Sequence, residues 1–124
     1  MQKQEHKNEK EMYKKNTKGI KKDEFRFHDV VIVKGKSTKR KKHPAYVWRA
    51  RGNTYDYYTL THSSKVPGVK VRKLRKNPDP KDKRDSYVSV ESKNDIKSTF
   101  GKKQRHWKLD PLDKKELKGE TKKP

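Results

Sequence analysis

The sequence predicts a small, mainly β protein: a barrel of about five short strands with one short C-terminal helix. Three observations predict it. Short runs rich in β-branched and aromatic residues follow one another from residue 28 onward, separated by Gly, Pro, Asn and Ser turn signals. Two of these runs flank a Gly-Asn pair, as the strands of a hairpin do. A helix start with an apolar stripe behind it stands near the end of the chain, at Asp110-Pro111.

The elements follow in order. Residues 1–22 are almost all Lys, Glu, Gln and Asn, and the few apolar side chains, Met12, Tyr13 and Ile20, are too sparse to bury against one another. Residues 1–24 are therefore expected to be a disordered basic arm. Residues 28–34, His-Asp-Val-Val-Ile-Val-Lys, form an apolar run and read as a buried strand. Residues 35–42, Gly-Lys-Ser-Thr-Lys-Arg-Lys-Lys, read as a mobile cationic loop. Residues 43–51 are the second strand, with Tyr46, Trp48 and Ala50 on one face and Val47, Arg49 and Arg51 on the other. Residues 54–61 are the third, in which Tyr55, Tyr57, Thr59 and Thr61 alternate with Asp56, Tyr58 and Leu60. After a loop with a Pro-Gly turn, residues 69–74 make a fourth strand. Residues 76–85 are a polar loop with Pro78 and Pro80, and 86–91 a fifth strand. Residues 92–106 read as irregular, and Ile96, Phe100 and Trp107 are the expected anchors of that region. Asp110 caps the helix, Leu109, Leu112 and Leu117 form its stripe, and Gly119 is placed to end it. The core thus belongs to residues 25–118, and 119–124 form a disordered tail.

Charge narrows the partners. Lys and Arg number 37 against 16 Asp and Glu in 124 residues, a formal net charge of +21. A small domain needs a net charge of only about 2 to 8 for solubility. A surplus this large attracts polyanions, and a nucleic acid, with a phosphate about every 1.7 Å of duplex axis, gains affinity by releasing counterions. No apolar run has signal-peptide or transmembrane length, and the termini lack a myristoylation Gly and a prenylation Cys. The expectation is a cytoplasmic protein with no membrane partner. Cysteine is absent, and no two of the five histidines have metal-motif spacing, so no metal site and no cofactor are expected. Gly35-Lys36-Ser37-Thr38 resembles the end of a phosphate loop. The upstream Gly that such a loop needs is absent, a valine standing in its place at position 30, which removes that reading.

Aromatic residues with cations between them suit single-stranded nucleic acid, because bases stack on rings while Lys and Arg follow the backbone. Tyr46, Trp48, Arg49, Arg51, Tyr55, Tyr57 and Tyr58 form such a group on one hairpin. The competing reading is that these rings fill the core, with Val47 and Leu60 inward in either case. RNA cleavage needs a base for the 2′-hydroxyl, an acid for the leaving oxygen and a cation for the phosphorane. His43, Thr61, His62, Ser63 and the loop cations Arg40, Lys41 and Lys42 are the side chains of suitable type. His43 and Thr61 stand near the ends of adjacent antiparallel strands. The competing reading for each histidine is a surface or turn residue.

The order of these elements resembles the MazF/PemK/Kid family of toxin ribonucleases over about residues 27–118. Family members open with Gly-Asp-Ile-Val-Leu-Val, where this chain has His28-Asp29-Val30-Val31-Ile32-Val33. An Arg-Pro-Val-Leu-Val type of strand is matched by His43-Pro44-Ala45-Tyr46-Val47, and a Leu-Thr-Ser strand end by Leu60-Thr61-His62-Ser63. A Ser-Tyr-Val strand is matched by Ser86-Tyr87-Val88, and a Leu-Ser-x-x-Asp helix start by Leu109-Asp110-Pro111-Leu112-Asp113. The resemblance implies an SH3-like barrel and a homodimer that cuts single-stranded RNA without metal and is blocked by an antitoxin protein. It implies catalytic roles for Thr61 and for His43, which stands where the family has Arg. Histidine works as an acid or base near neutral pH but does not carry a permanent guanidinium charge; Lys42 or Arg40 stands near to supply one. The long basic arm is also a departure from the family.

The expected function is an RNA-binding, metal-independent endoribonuclease of a toxin–antitoxin or mobile-element system. His43 and Thr61 are its catalytic candidates. Lys39, Arg40, Lys41, Lys42, Arg49, Arg51, Tyr57, His62 and Ser63 are the nucleic-acid-binding candidates. The alternatives are a non-catalytic RNA- or DNA-binding phage or plasmid protein, a ribonucleoprotein component, and an inhibitor of an acidic protein.

Overall fold

The structure, a computed structural model, describes residues 19–65 and 68–122. The expected arm up to Lys18, the Val66-Pro67 part of the loop and the last two residues of the tail lie outside the described residues. Among the described residues the chain is mainly β, with one α-helix near its C-terminal end.

Strands β1 (Ile20–Lys34) and β2 (Ser37–Arg51) are each 15 residues long. They pair antiparallel from Ile20↔Ala50 to Lys34↔Ser37. This corrects the sequence reading twice. Residues 20–24, expected in the arm, belong to the sheet. Residues 35–42, expected as a loop, are a tight turn at Gly35-Lys36 followed by strand. The reason is pairing at a distance along the chain. Lys39, Arg40, Lys41 and Lys42 stand opposite Ile32, Val31, Val30 and Asp29, and the ladder to this β-branched stretch holds a cationic strand with little β preference of its own. Gly35 supplies the positive φ of the turn, +61°, at no steric cost.

Strand β3 (Thr54–Thr61) follows the Gly52-Asn53 turn and pairs with β2 as the hairpin pattern predicts. The register slips between Val47↔Tyr57 and Arg49↔Asp56, which leaves Trp48 as the extra residue of a bulge. Four shorter strands complete the sheet: β4 (Val71–Lys73), β5 (Tyr87–Ser89), β6 (Lys93–Ile96) and β7 (Phe100–Lys103). The described strands number seven rather than five, and residues 92–106, expected as irregular, contain β6 and β7. The outer edge of β3 is shared. β6 pairs with its first half, Thr54 to Tyr57, and β5 with its end, Leu60 and Thr61.

The connection between β6 and β7 shows how the sheet is bent. β6 lies on the outer edge of β3 and β7 on the outer edge of β1. In a flat sheet β6 and β7 would be four strand spacings apart, about 19 Å. Only the 3-10 turn Lys97–Thr99 joins them, and four Cα–Cα steps reach at most about 14 Å. The sheet must therefore curl so that its two edges approach one another.

Each face of the sheet carries a core cluster. On one face Phe25, Tyr46 and Tyr58 form a cross-strand row, packed with Leu60, Leu74, Val88, Leu109 and Leu117. Helix α1 (Pro111–Lys122) covers this side. Its first turn is capped as predicted, with Leu112 N–H donating to Asp110 Oδ1 at 2.9 Å. Leu112 itself is exposed, and Asp113 takes the buried position, accepting from the Arg75 backbone N–H at 3.0 Å and from Arg75 Nη1 at 2.7 Å. The helix also continues past Gly119 to Lys122. The other face buries Ala45, Val47 and Tyr57, flanked by Tyr55 and Phe100. Val47 and Leu60 are thus both buried, as expected, but on opposite faces. Of the anchors expected after residue 92, Phe100 and Trp107 pack on the core while Ile96 is exposed. Among the described residues no helix is long and apolar enough to cross a membrane.

Candidate functional site

The ladder between β2 and β3 ends with Ala45↔Thr59. Extended by two residues, that register would set His43 across from Thr61, and both line the same cavity. Beyond this point the chains diverge: β2 runs on into the ribbon it forms with β1, and β3 leaves the sheet through His62 and Ser63. The gap is a cleft of about 620 Å³. Lys42, His43 and Pro44 line it from β2, and Leu60, Thr61, His62 and Ser63 from the end of β3. Phe27 and Trp107 give it apolar wall, their rings packed edge to face with centroids 5.5 Å apart. The remaining wall is the loop before β5, through Asn77, Asp79, Asp82, Arg84 and Ser86.

This loop is held by side chains bonding to nearby backbone, as Asn and Asp do in turns. Asn77 Oδ1 accepts from Asp79 N–H at 3.0 Å, and its Nδ2 donates to the Arg84 carbonyl at 3.1 Å. Asp79 Oδ1 accepts from Lys81 N–H at 2.9 Å. Asp82 Oδ1 accepts from both Arg84 N–H and Arg84 Nε at 3.0 Å, and Asp82 Oδ2 from Arg84 Nη2 at 2.8 Å. The hydrogen bonds from Arg84, side chain first and then backbone, hold the Asp82 carboxyl far below its ordinary range.

His62 sits between two acceptors. Its Nδ1 is 3.0 Å from the Asp85 carbonyl oxygen and its Nε2 is 3.5 Å from Asp82 Oδ2. His43 is held in a different state. Burial lowers its pKa, and the charges of Lys41 and His28 lower it further, which favours the neutral imidazole. Thr61 Oγ1 accepts from Ser63 N–H at 3.2 Å, and Ser63 Oγ donates to the Lys65 carbonyl at 2.9 Å. The cleft therefore combines imidazoles, hydroxyls, cations and carboxylates beside an apolar wall.

Five of the residues singled out from sequence meet at this cleft: Lys42, His43, Thr61, His62 and Ser63. Arg40 and Lys41 are exposed on the β1–β2 ribbon that leads away from it, and Lys39 occupies the same strand. Arg40 lies 3.8 Å from Asp29 and is otherwise open to solvent. Three candidates are placed elsewhere. Arg49 Nε and Arg51 Nη2 donate to the buried Asp56 at 2.5 and 2.8 Å, and Arg49 stacks over Trp48. Burial alone would raise the Asp56 pKa, but the bonds from Arg51, Arg49 and Asn94 outweigh it and lower it. The two guanidiniums thus bind an internal carboxylate. Tyr57 is buried, its ring against His28 and Phe100 and its hydroxyl pushed up to about 12 by burial and by Asp95. It offers no face to a base.

Asn77, Asp79, Asp82, Arg84, Phe27 and Trp107 were missed from sequence. The Asn-Pro-Asp-Pro run at 77–80 signals a turn, but nothing local says which strands that turn meets. Among the described residues no group of three or more His, Asp or Glu is placed to hold a metal ion. No protein-family model, curated protein or solved structure matches the chain.

Proposed function

We propose that this chain binds single-stranded RNA and cuts it in the cleft between β2, β3 and the 77–86 loop, as a PemK-like endoribonuclease whose side chains alone supply the chemistry. The observation that carries the reading is the convergence of Lys42, His43, Thr61, His62 and Ser63 on one cavity. Those residues are drawn from two strands and a loop, and each was singled out for its chemical type. The cavity is large enough for a nucleotide, and its Phe27, Pro44, Leu60 and Trp107 lining suits the apolar face of a base.

His43 is the base in this reading. A neutral imidazole can take the 2′-hydroxyl proton, and the lowered pKa keeps His43 neutral near pH 7. Thr61 Oγ1, across from it, hydrogen-bonds the scissile phosphate. Lys42 and Arg84 set positive charge against the non-bridging oxygens as the phosphorane forms. The ribbon cations Lys39, Arg40 and Lys41 follow the phosphates that enter along β2. The net charge of +21 supports the affinity.

The His at position 43, where the related toxins carry Arg, favours a second reading: a barrel that binds RNA without turning it over. One experiment separates the two. Purified protein is incubated with a mixed-sequence single-stranded RNA in EDTA, beside His43→Ala and Thr61→Ala, and the product ends are sequenced. Discrete cuts lost in both variants support the enzyme. Tight, salt-dependent binding without cuts leaves the binding module.

A further inference from the structure

Asp82 holds two cleft side chains at once. It clamps the Arg84 guanidinium through both carboxylate oxygens, at 3.0 and 2.8 Å, and its Oδ2 lies 3.5 Å from His62 Nε2. The opposite side of the His62 ring is fixed as well, with Nδ1 3.0 Å from the Asp85 carbonyl oxygen. A carbonyl only accepts, so Nδ1 carries a hydrogen. Nε2 is then the nitrogen turned to Asp82, a carboxylate that the hydrogen bonds from Arg84 keep ionised. Both ring nitrogens face oxygen acceptors, one a backbone carbonyl and the other a carboxylate. His43, on the other side of the cleft, has no carboxylate among the charges acting on it; those are Lys41 and His28. The two imidazoles of one cavity therefore have different neighbours, a carboxylate beside His62 and the Lys41 charge acting on His43.

We propose that His62 is the general acid of the cut made in this cleft, with Asp82 as its positioning residue and Arg84 as the guanidinium that Asp82 aims at the phosphate. The proposal rests on the ribonuclease reading above. The step balances without oxidant, reductant or metal. His43 takes the 2′-hydroxyl proton, and O2′ forms a bond to phosphorus. The bond from phosphorus to O5′ breaks, and O5′ leaves with the proton from His62 Nε2. The products are a 2′,3′-cyclic phosphate and a 5′-hydroxyl, and solvent returns His43 and His62 to their starting states. The charged and titratable groups around His62 are Asp79, Asp82 and Arg84 on the facing loop, and Lys42 and His43 on β2. Asp85, whose carbonyl it meets, has its carboxylate turned to Lys73 at 3.5 Å.

A substrate whose leaving oxygen is replaced by sulfur tests this directly, because a thiolate leaves without being protonated. Full-length wild type, His62→Ala, Asp82→Asn and His43→Ala are compared on an oligoribonucleotide with one 5′-bridging phosphorothiolate and on its all-oxygen twin. On the oxygen substrate His62→Ala is expected to be slower by about 10²- to 10⁴-fold, the usual size of a general-acid contribution. On the sulfur substrate it is expected to return to within about tenfold of wild type, with Asp82→Asn rescued in part and His43→Ala slow on both. Rescue also separates a chemical role from a folding defect, since a misfolded variant fails on both substrates. His62→Ala that keeps the wild-type circular dichroism spectrum and Tm yet is equally slow on both, or that equals wild type on the oxygen substrate, would overturn the assignment of His62 alone. A wild type that cuts neither substrate would overturn the ribonuclease reading and His62's role with it.

Discussion

Asp56→Ala is the perturbation that most sharply separates a structural from a phosphate-binding role for the arginines of the β2–β3 hairpin. The Asp56 side chain is only 4% exposed and receives Arg49, Arg51 and Asn94. Removing one partner of a buried ion pair costs about 3–5 kcal/mol, because the other is left uncompensated. Here the guanidiniums keep side-chain exposures of 27% and 36%, so both can partly rehydrate. That places the expected loss at the low end, about 2–3 kcal/mol. For a domain of about 100 residues each kcal/mol shifts Tm by about 4–8 °C, so the expected drop is about 8–24 °C. The assay is thermal unfolding followed by circular dichroism, with RNA affinity measured across a salt series on the same samples. Arg49→Ala and Arg51→Ala are expected to lower Tm while leaving the salt dependence of binding unchanged. An Asp56→Ala protein within about 3 °C of wild type would refute the reasoning. So would arginine variants that keep their Tm and lose about 0.7 each from the salt slope, the mark of a lost phosphate contact.

Three further outcomes are expected. The folded-state pKa of Asp56 is depressed below 3.8, so its contribution is complete above that value and lost as pH falls through the lower folded value. Urea midpoints on the acid limb should fall less steeply in Asp56→Asn than in wild type. Replacing Arg40, Lys41 and Lys42 together by Ser should reduce the slope of log affinity against log salt by about 2, with Tm unchanged because all three are exposed in a ribbon held by backbone pairing. Tyr57→Ala should cost about 3–5 kcal/mol in chemical denaturation, as large-to-small core changes do, whereas Tyr57→Phe should leave RNA affinity as it is.

The parts of the fold legible in sequence were those set by local pattern. β3 was read to its ends because its alternation and the Gly-Asn turn before it are local signals. β4, β5 and the Asp110 cap were read from turn residues and capping chemistry. The first half of β2 was not, because Lys39, Arg40, Lys41 and Lys42 become strand only by pairing with residues 29–32. β6 and β7 were missed for a like reason: Lys93, Asn94 and the Gly-Lys-Lys of β7 have little strand character until β3 and β1 offer their edges. The same division runs through the cleft. Chemical type picked out His43, Thr61 and His62, and an end-of-strand argument brought two of them together. The pairing of Arg49 and Arg51 with Asp56 went unread because the bulge at Trp48 shifts the register and sets Asp56 against them. Asp82 and Arg84 went unread because their approach to His62 is a tertiary fact that no spacing in the chain reports.

The most direct test of the central claim is to locate bound RNA on the folded protein. A short oligoribonucleotide with 2′-O-methyl groups, which cannot be cut, would be titrated into isotope-labelled protein, and the backbone amide shifts followed by NMR. The account predicts that the largest changes fall on Lys42 and His43, on Thr61, His62 and Ser63, and on the loop from Asn77 to Ser86, with smaller changes along the β1–β2 ribbon. Changes confined to surfaces away from these three segments, or none at low salt, would contradict it.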